Sequence, residues 1–312
     1  MKKTGKKISN KKRKGLSKNG PLILIALPGI IYLIINNYIP MFGVFLAFKD
    51  FNYAKGIFGS DWNGVDNFKF LFQQDAFTII RNTLGYNVAF HIIGTIAAIA
   101  VAILLFELGS TRRAKFFQSS LLLPNLLSWV VIGFIGFAFL NSETGFINNT
   151  IIRFFGGEEI SWYTTSKYWP FILIVVFLWK NVGLNCIIYL ATISGIDKGI
   201  FEAAKIDGAN KVNQIRYITL PMLKPTVIIL TLMAVSKIFY SDFGLFYQVP
   251  MSSGAIFDVT QTIDTYVYRG LMELNDVGMS AAAGLYQSVV GFILVISANA
   301  LVRKYSSESA LF

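Results

Sequence analysis

Twenty-two consecutive residues, Ser119 to Leu140 (SSLLLPNLLSWVVIGFIGFAFL), carry no charged side chain. A bilayer core about 30 Å thick is crossed by roughly 20 apolar helical residues. A helix closes its own backbone hydrogen bonds, so it survives where no water can replace them. Five more runs of similar length and character lie at 22–48, 83–106, 170–193, 226–249 and 278–302. The whole chain agrees, being 54% hydrophobic with a mean hydropathy of +0.56, too apolar for an ordinary soluble domain. The expectation is an all-α integral membrane protein with six transmembrane helices over residues 22–302. Pro28, Asn36, Asn37 and Pro40 interrupt the first run, so a kinked span is expected there.

Cytoplasmic segments of membrane proteins hold an excess of Lys and Arg. Of the 28 such residues, 19 fall in 1–21, 107–118, 194–225 and 303–312, on one side of the six spans. Seven fall on the other side, in 49–82, 142–169 and 250–277, where 11 acidic residues outnumber them. Both termini, the tails 1–21 and 303–312, are therefore expected in the cytoplasm, and so is the loop 194–225. The lysine-rich start has no small-residue cleavage pattern behind it and reads as a retained signal-anchor that meets anionic lipid rather than nucleic acid. Cys186, the single cysteine, excludes an intrachain disulfide and a cysteine metal cluster. In the loop 49–82, DWNGVDNFKFLF (61–72) reads as a turn and an amphipathic interfacial helix with Trp62 at headgroup level. The loop 142–169, with Trp162 and a Gly-Gly pair, suits the outer mouth or an external partner; its sequon at Asn148–Thr150 reads as a chance occurrence. No internal repeat is visible.

The loop 194–225 is polar between two apolar runs. Its first half reads as a helix over 197–207, with Ile196, Ile200, Ala203 and Ala204 on one face and Lys198, Glu202 and Lys205 on the other. Ser194 or Asp197 is placed to cap its start, and Gly208 to end it in the left-handed region. A second short helix is expected from Asn210, with Val212, Ile215 and Ile218 on one side and Lys211, Gln214 and Arg216 off it. Pro221 should interrupt that helix, and Pro225 suits the first turn of the fifth span. Such a loop lies on the membrane or its own bundle, or it meets a partner. The small residues Ala203, Ala204, Gly208 and Ala209 favour the close approach of a partner protein.

Glu202-Ala203-Ala204, Gly208 and Ile218-Thr219-Leu220-Pro221, at this spacing, resemble the EAA motif of binding-protein-dependent ABC importer permeases. The string EAAKIDGA (202–209), with Asp207 before the glycine, is similar to the carbohydrate-uptake, maltose-type branch. LPGIIYLIINNYIPMFGVFLAFKDF (27–51), SDFGLFYQVP (241–250), IDTYVYRGL (263–271) and the final Leu311-Phe312 look like its oligosaccharide and polyuronide permeases. The resemblance implies the type I ABC importer fold in a bacterial cell membrane, with a cytoplasmic coupling helix between the fourth and fifth spans. It also implies a second permease, usually making a heterodimer, two ATPase subunits and an extracytoplasmic sugar-binding protein. Glu202, Ala203, Ala204, Asp207 and Gly208 would then contact the ATPase, and Ile218, Leu220 and Pro221 would fix the loop to the fifth span. Relatives often carry a proline near position 197, where this chain has Asp197, also a good helix starter. No G-x-x-x-x-G-K-[S/T] phosphate loop occurs, so ATP and Mg are expected on the partner ATPase, with no cofactor in this chain.

Charges within spans cost about 2.5–3.5 kcal/mol each at mid-helix and usually face a bundle interior or a wet cavity. Lys180 is expected near the middle of the fourth span, Lys237 near the middle of the fifth, and Asp242 further along it. They make either an interspan ion pair, Lys180 with Asp242, or the polar lining of a transport path. Lys237 and Asp242 pair only if SDFG (241–244) breaks the helix. Trp129, Trp179, Tyr240 and Tyr247 offer faces for sugar rings, and Asn125, Asn181, Asn185 and Ser241 offer partners for hydroxyls. The aromatics suit interface anchors equally. His91, the only histidine, suits packing or an interspan hydrogen bond, since one histidine makes no metal site. No nucleophile–base constellation marks an enzyme. Besides a sugar importer, two readings remain open: a permease for another substrate such as a peptide, and a secondary carrier using Lys180 and Asp242 as an ion site.

Overall fold

The computed structural model describes residues 14–72, 75–109 and 111–305, with side chains from Gly20 to Lys304 in those ranges. Residues 1–13, most of the basic tail, and the terminal Leu311-Phe312 lie outside the described residues. Among the described residues the regular structure is helical, apart from one hairpin. Helix α1 (Lys14–Leu33) continues through a wide turn, Ile34–Tyr38, into a tight 3-10 segment, Ile39–Phe48. Pro28 lies within α1, and Asn36 and Asn37 lie inside the wide turn, where Asn36 Nδ2 donates to Tyr32 O at 3.0 Å. Strands β1 (Lys49–Asp50) and β2 (Asp61–Trp62) then pair antiparallel around the short α2 (Gly56–Gly59).

Next come α3 (Ala76–Glu107), α4 (Arg112–Leu126), α5 (Trp129–Leu140), α6 (Trp169–Ser194), α7 (Lys198–Ile206) and α8 (Lys211–Gln214). The chain ends with α9 (Leu220–Ser236), α10 (Phe243–Gln248), α11 (Phe257–Thr260), α12 (Ile263–Glu273) and α13 (Val277–Tyr305). Among the described residues, five helical stretches are long and apolar enough to cross a membrane, or six if the bent pair α4–α5 is one span.

Helix α3 is the spine. Ile79, Tyr86, Phe90, Ala98, Ala102 and Leu105 place it in all three apolar clusters of the molecule. It packs along α6, where Phe90 stacks on Phe177 with centroids 4.1 Å apart. Helix α4 meets α6 so closely that a side chain on Gly183 would run into the backbone carbonyl of Leu121. Small residues permit that approach between helices. The first span differs: no residue of its most apolar stretch is buried within the chain.

Several expectations change. The run 119–140 is not one straight span; α4 and α5 meet at 96°. Ser128 takes an extended conformation and its Oγ accepts from Val131 N, starting a new helix there. The run 226–249 likewise breaks after Ser236 and resumes at Phe243, while its helix begins earlier, at Lys211. Pro221 does not interrupt it, because a wide turn, Ile215–Thr219, relieves the proline's clash with the preceding carbonyls, and Pro225 sits inside α9 rather than at its first turn. In 49–82 the interfacial helix is a 3-10 turn, Asp66–Phe72, that buries Phe70 beside an unforeseen hairpin. Lys49 ties that hairpin by donating to Phe58 O at 2.7 Å, and Asn67 Nδ2 reaches the carbonyls of Leu46, Ala47 and Lys49. Asn148 is buried, its amide bonded to Ser142, Ile160 and Trp162, which closes the sequon to modification in the folded chain.

Candidate coupling loop and transport path

The loop after α6 is built as a rigid platform. Asp197, not Ser194, starts α7: its Oδ1 accepts from Gly199 N at 2.9 Å. Gly208 ends the turn with φ +82°, and the bonds Gly208 N to Lys205 O and Ala209 N to Ala204 O close a Schellman motif. The inward face differs from the one expected. Ile196 is buried and Phe201 packs on Phe106 with centroids 5.8 Å apart, whereas Ile200 and Ala203 are exposed. The 100° spacing had put Ile200 on the packed face, but α3 meets α7 through the aromatic ring of Phe201.

Gln214, expected off the packed side, is buried and donates to Ala209 O at 3.0 Å, tying α8 back to the turn. Lys211 pairs with Glu107 at 2.5 Å, fixing the start of α8 to the end of α3. Ile215 and Ile218 turn inward, but Val212 is exposed. The outer surface therefore presents Glu202, Ala203, Asp207 and Gly208 together, flanked by the apolar Ile206, 86% exposed, and Val212, 69% exposed. Ile218 packs on the cluster that holds Leu223, while Leu220 and Pro221 stay exposed at the start of α9.

The residues expected along the path separate into two groups. A cavity of about 720 Å³ lies among α3, α6 and α9 and the break that follows α9. It gathers Asn185, Lys237, Tyr240, Ser241 and Asp242. Sequence reasoning missed Asn87, Thr95 and Tyr189, which also line it, together with Phe90 and Phe177. His91 is there too, bonded through Nε2 to Thr231 Oγ1 at 2.9 Å, the interspan bond foreseen for it.

The break 237–242 is held open by design. Asn87 Nδ2 donates to Ile238 O at 2.8 Å and Tyr240 O at 2.9 Å. Gln287 Nε2 donates to Phe239 O at 2.7 Å, and Asp264 Oδ2 accepts from both the backbone N and the Oγ of Ser241. Tyr240 reaches Ser288 at 2.9 Å. An amide in the apolar second span and a carboxylate in IDTYVYRGL were the signals that could have found Asn87 and Asp264.

The second group does not line the cavity. Lys180 is buried at the other break: its Nζ donates to Asn125 O at 3.2 Å and Leu127 O at 2.5 Å and lies 4.8 Å from the Trp129 ring centroid. The expected Lys180–Asp242 ion pair does not form; the ion pairs among the described residues all lie outside the apolar runs. The carbonyls freed where α4 ends take the ammonium instead. Asp242 caps α10, accepting from Leu245 N. Trp129 packs against Gly244, where any side chain would strike its ring. Tyr247 stacks on Phe243 at 4.9 Å, Asn181 bonds back to Phe177 O, and Trp179 is half-exposed away from the cavity. Groups of three or more metal-binding side chains are absent among the described residues.

A multi-pass helical bundle with breaks after α4 and α9, a cavity at the second break and a protruding helical turn has the form of a membrane permease. Residues 109–307 match the family described as binding-protein-dependent transport system inner membrane component, and the chain belongs to that family. It is a protein of the bacterial cell membrane. The polygalacturonan/rhamnogalacturonan transport system permease protein YteP of Bacillus subtilis is 34% identical over 92% of this chain and 89% of its own. Protein LplB of the same species is 32% identical over 92% and 90%. A bacterial ABC transporter involved in the import of the acidic polysaccharide alginate superposes with a TM-score of 0.85 at 28% identity, covering 94% of this chain and 98% of that one.

Proposed function

We propose that this chain is a transmembrane permease subunit of an ATP-driven importer, and that its cargo is an oligosaccharide handed over by an extracytoplasmic binding protein. The observation that carries the reading is the loop 197–221. It is an exposed, internally braced turn presenting Glu202, Ala203, Asp207 and Gly208 to a partner, with Ala204 half-buried behind them. A secondary carrier has no use for such a platform, and Lys180, the lysine a carrier would have needed, is engaged by carbonyls. The cargo class follows those relatives whose names give one, YteP and two arabinooligosaccharide permeases AraP among them. A peptide has no comparable support.

In this reading the loop faces the cytoplasm with both termini and docks on a separate ATPase subunit, one of two, which binds ATP and Mg and performs the hydrolysis. A second permease completes the path, as a heterodimer. Glu202 offers a carboxylate to a basic ATPase side chain. Closure of the ATPases moves the loop, and α9, continuous with it, carries that motion to the cavity. The test is co-purification of the chain with its ATPase. Glu202→Lys reverses the proposed contact, and Gly208→Trp forces a bulky residue to φ +82°. Both should abolish co-purification and uptake while leaving the chain in the membrane. Uptake that persists without any ATPase sinks the reading.

A further inference from the structure

We propose that Lys237 is the residue of the cavity that recognises a carboxylate on the cargo, a uronate-bearing saccharide of the kind named for two of the relatives. This rests on the importer reading and adds to it a residue. The cavity, about 720 Å³, falls in the size range of pockets that hold small ligands. Two formally charged side chains line it, Lys237 and Asp242, and their situations differ.

Asp242 is engaged. It caps the start of α10, its Oδ1 accepting from Leu245 N at 3.4 Å. Lys237 is exposed to the cavity and makes no ion pair among the described residues. The carbonyls a lysine might have capped here are already taken, those of Ile238 and Tyr240 by Asn87 and that of Phe239 by Gln287. Lys180 at the other break shows the contrast, because there the carbonyls occupy the lysine.

The negative end of α9 favours retention of a cation at Lys237, its C-terminal cap. A free ammonium lining the cavity beside Phe90 and Phe177 is a standing site for an anion. A carboxylate on a sugar ring answers it with a charge-assisted hydrogen bond, roughly twice as strong as a neutral one. Tyr240 and Asn185 complete the site with a ring face and an amide for sugar hydroxyls.

The experiment uses the assembled importer, purified without its binding protein. Trigalacturonate and its fully methyl-esterified, neutral counterpart are the probes. Equilibrium binding is measured for wild type, Lys237→Met, Lys237→Gln and Lys237→Arg; ATP-dependent uptake is measured in proteoliposomes with the binding protein added. The expected result is at least a tenfold loss of trigalacturonate affinity in the Met and Gln variants, little change for the ester, and substantial retention by Arg. Equal losses for both probes in an assembled complex, or no loss, overturn the assignment. So does a wild type that prefers the ester, although its ATP-dependent uptake would leave the importer reading standing. If uptake proceeds without ATP, the importer reading fails separately. Two neutral variants guard against a folding defect in either one.

Discussion

Replacing Lys180 with methionine distinguishes a helix-break cap from a path residue. The side chain is 8% exposed and donates two hydrogen bonds, to Asn125 O and Leu127 O, while its charge lies over Trp129. Hydrogen bonds inside membrane bundles average about 0.6 kcal/mol and reach about 1.7. A desolvated cation–π contact adds about 1–2 kcal/mol. Methionine fills the volume but leaves both carbonyls without this donor, while it also removes a buried charge. The net destabilisation should be about 2–4 kcal/mol. At roughly 2–4 °C per kcal/mol, the thermal midpoint of the detergent-purified protein should fall by about 4–16 °C. Lys180→Arg should lose less, since it keeps the donors. The measurement is a fluorescence-monitored thermal melt, paired with uptake at a temperature where the variant stays folded. Normal stability with abolished uptake would refute the reasoning and return Lys180 to the transport path.

Gly183→Val should prevent accumulation of folded protein, read by fluorescence-detected size exclusion, because its side chain meets the Leu121 backbone; a monodisperse variant would show that α4 and α6 have room to separate. Tyr163, in the loop before α6, buries a hydroxyl without a hydrogen-bond partner among the described residues, and burial pushes its pKa up to about 12. Tyr163→Phe should therefore leave stability unchanged or raise it by about 1 kcal/mol, and a loss in the thermal melt would reveal a partner for the hydroxyl. Since the folded pKa lies above the ordinary value near 10, the phenol's contribution is intact below about pH 10 and fades as the pH climbs toward 12. Wild type should accordingly lose more stability than the Phe variant between pH 9 and 11.

The long apolar runs were legible because membrane helices announce themselves through length and lack of charge. Their breaks were less so. SDFG (241–244) hinted at the second, but Leu127-Ser128 sits in a run without charge, and each break is stabilised by a residue far away in sequence. Lys180 lies 53 residues from Leu127, and Asn87 lies 151 from Ile238. A hydropathy pattern carries no such pairing. The turn at Gly208 and the cap at Asp197 were readable because both are local chemistry within a few residues. The packed face of α7 was missed because an aromatic one position off the ideal stripe, Phe201, reaches α3 better than Ile200 does. Among the polar span residues, only the structure separated Lys237, free in a cavity, from Lys180, consumed by carbonyls.

Lys211 to Ser236 form one unbroken rod of 26 residues, about 39 Å long at 1.5 Å per residue. One end is pinned by Glu107 beside the exposed turn, and the other stops at Lys237. Pivoting such a rod by about 5° around its midpoint displaces each tip by about 1.7 Å, in opposite senses. That is more than half the length of a hydrogen bond. On the proposed reading, a small push at the Gly208 end would shift the Lys237 ammonium by a comparable distance, enough to move it out of register with a bound carboxylate.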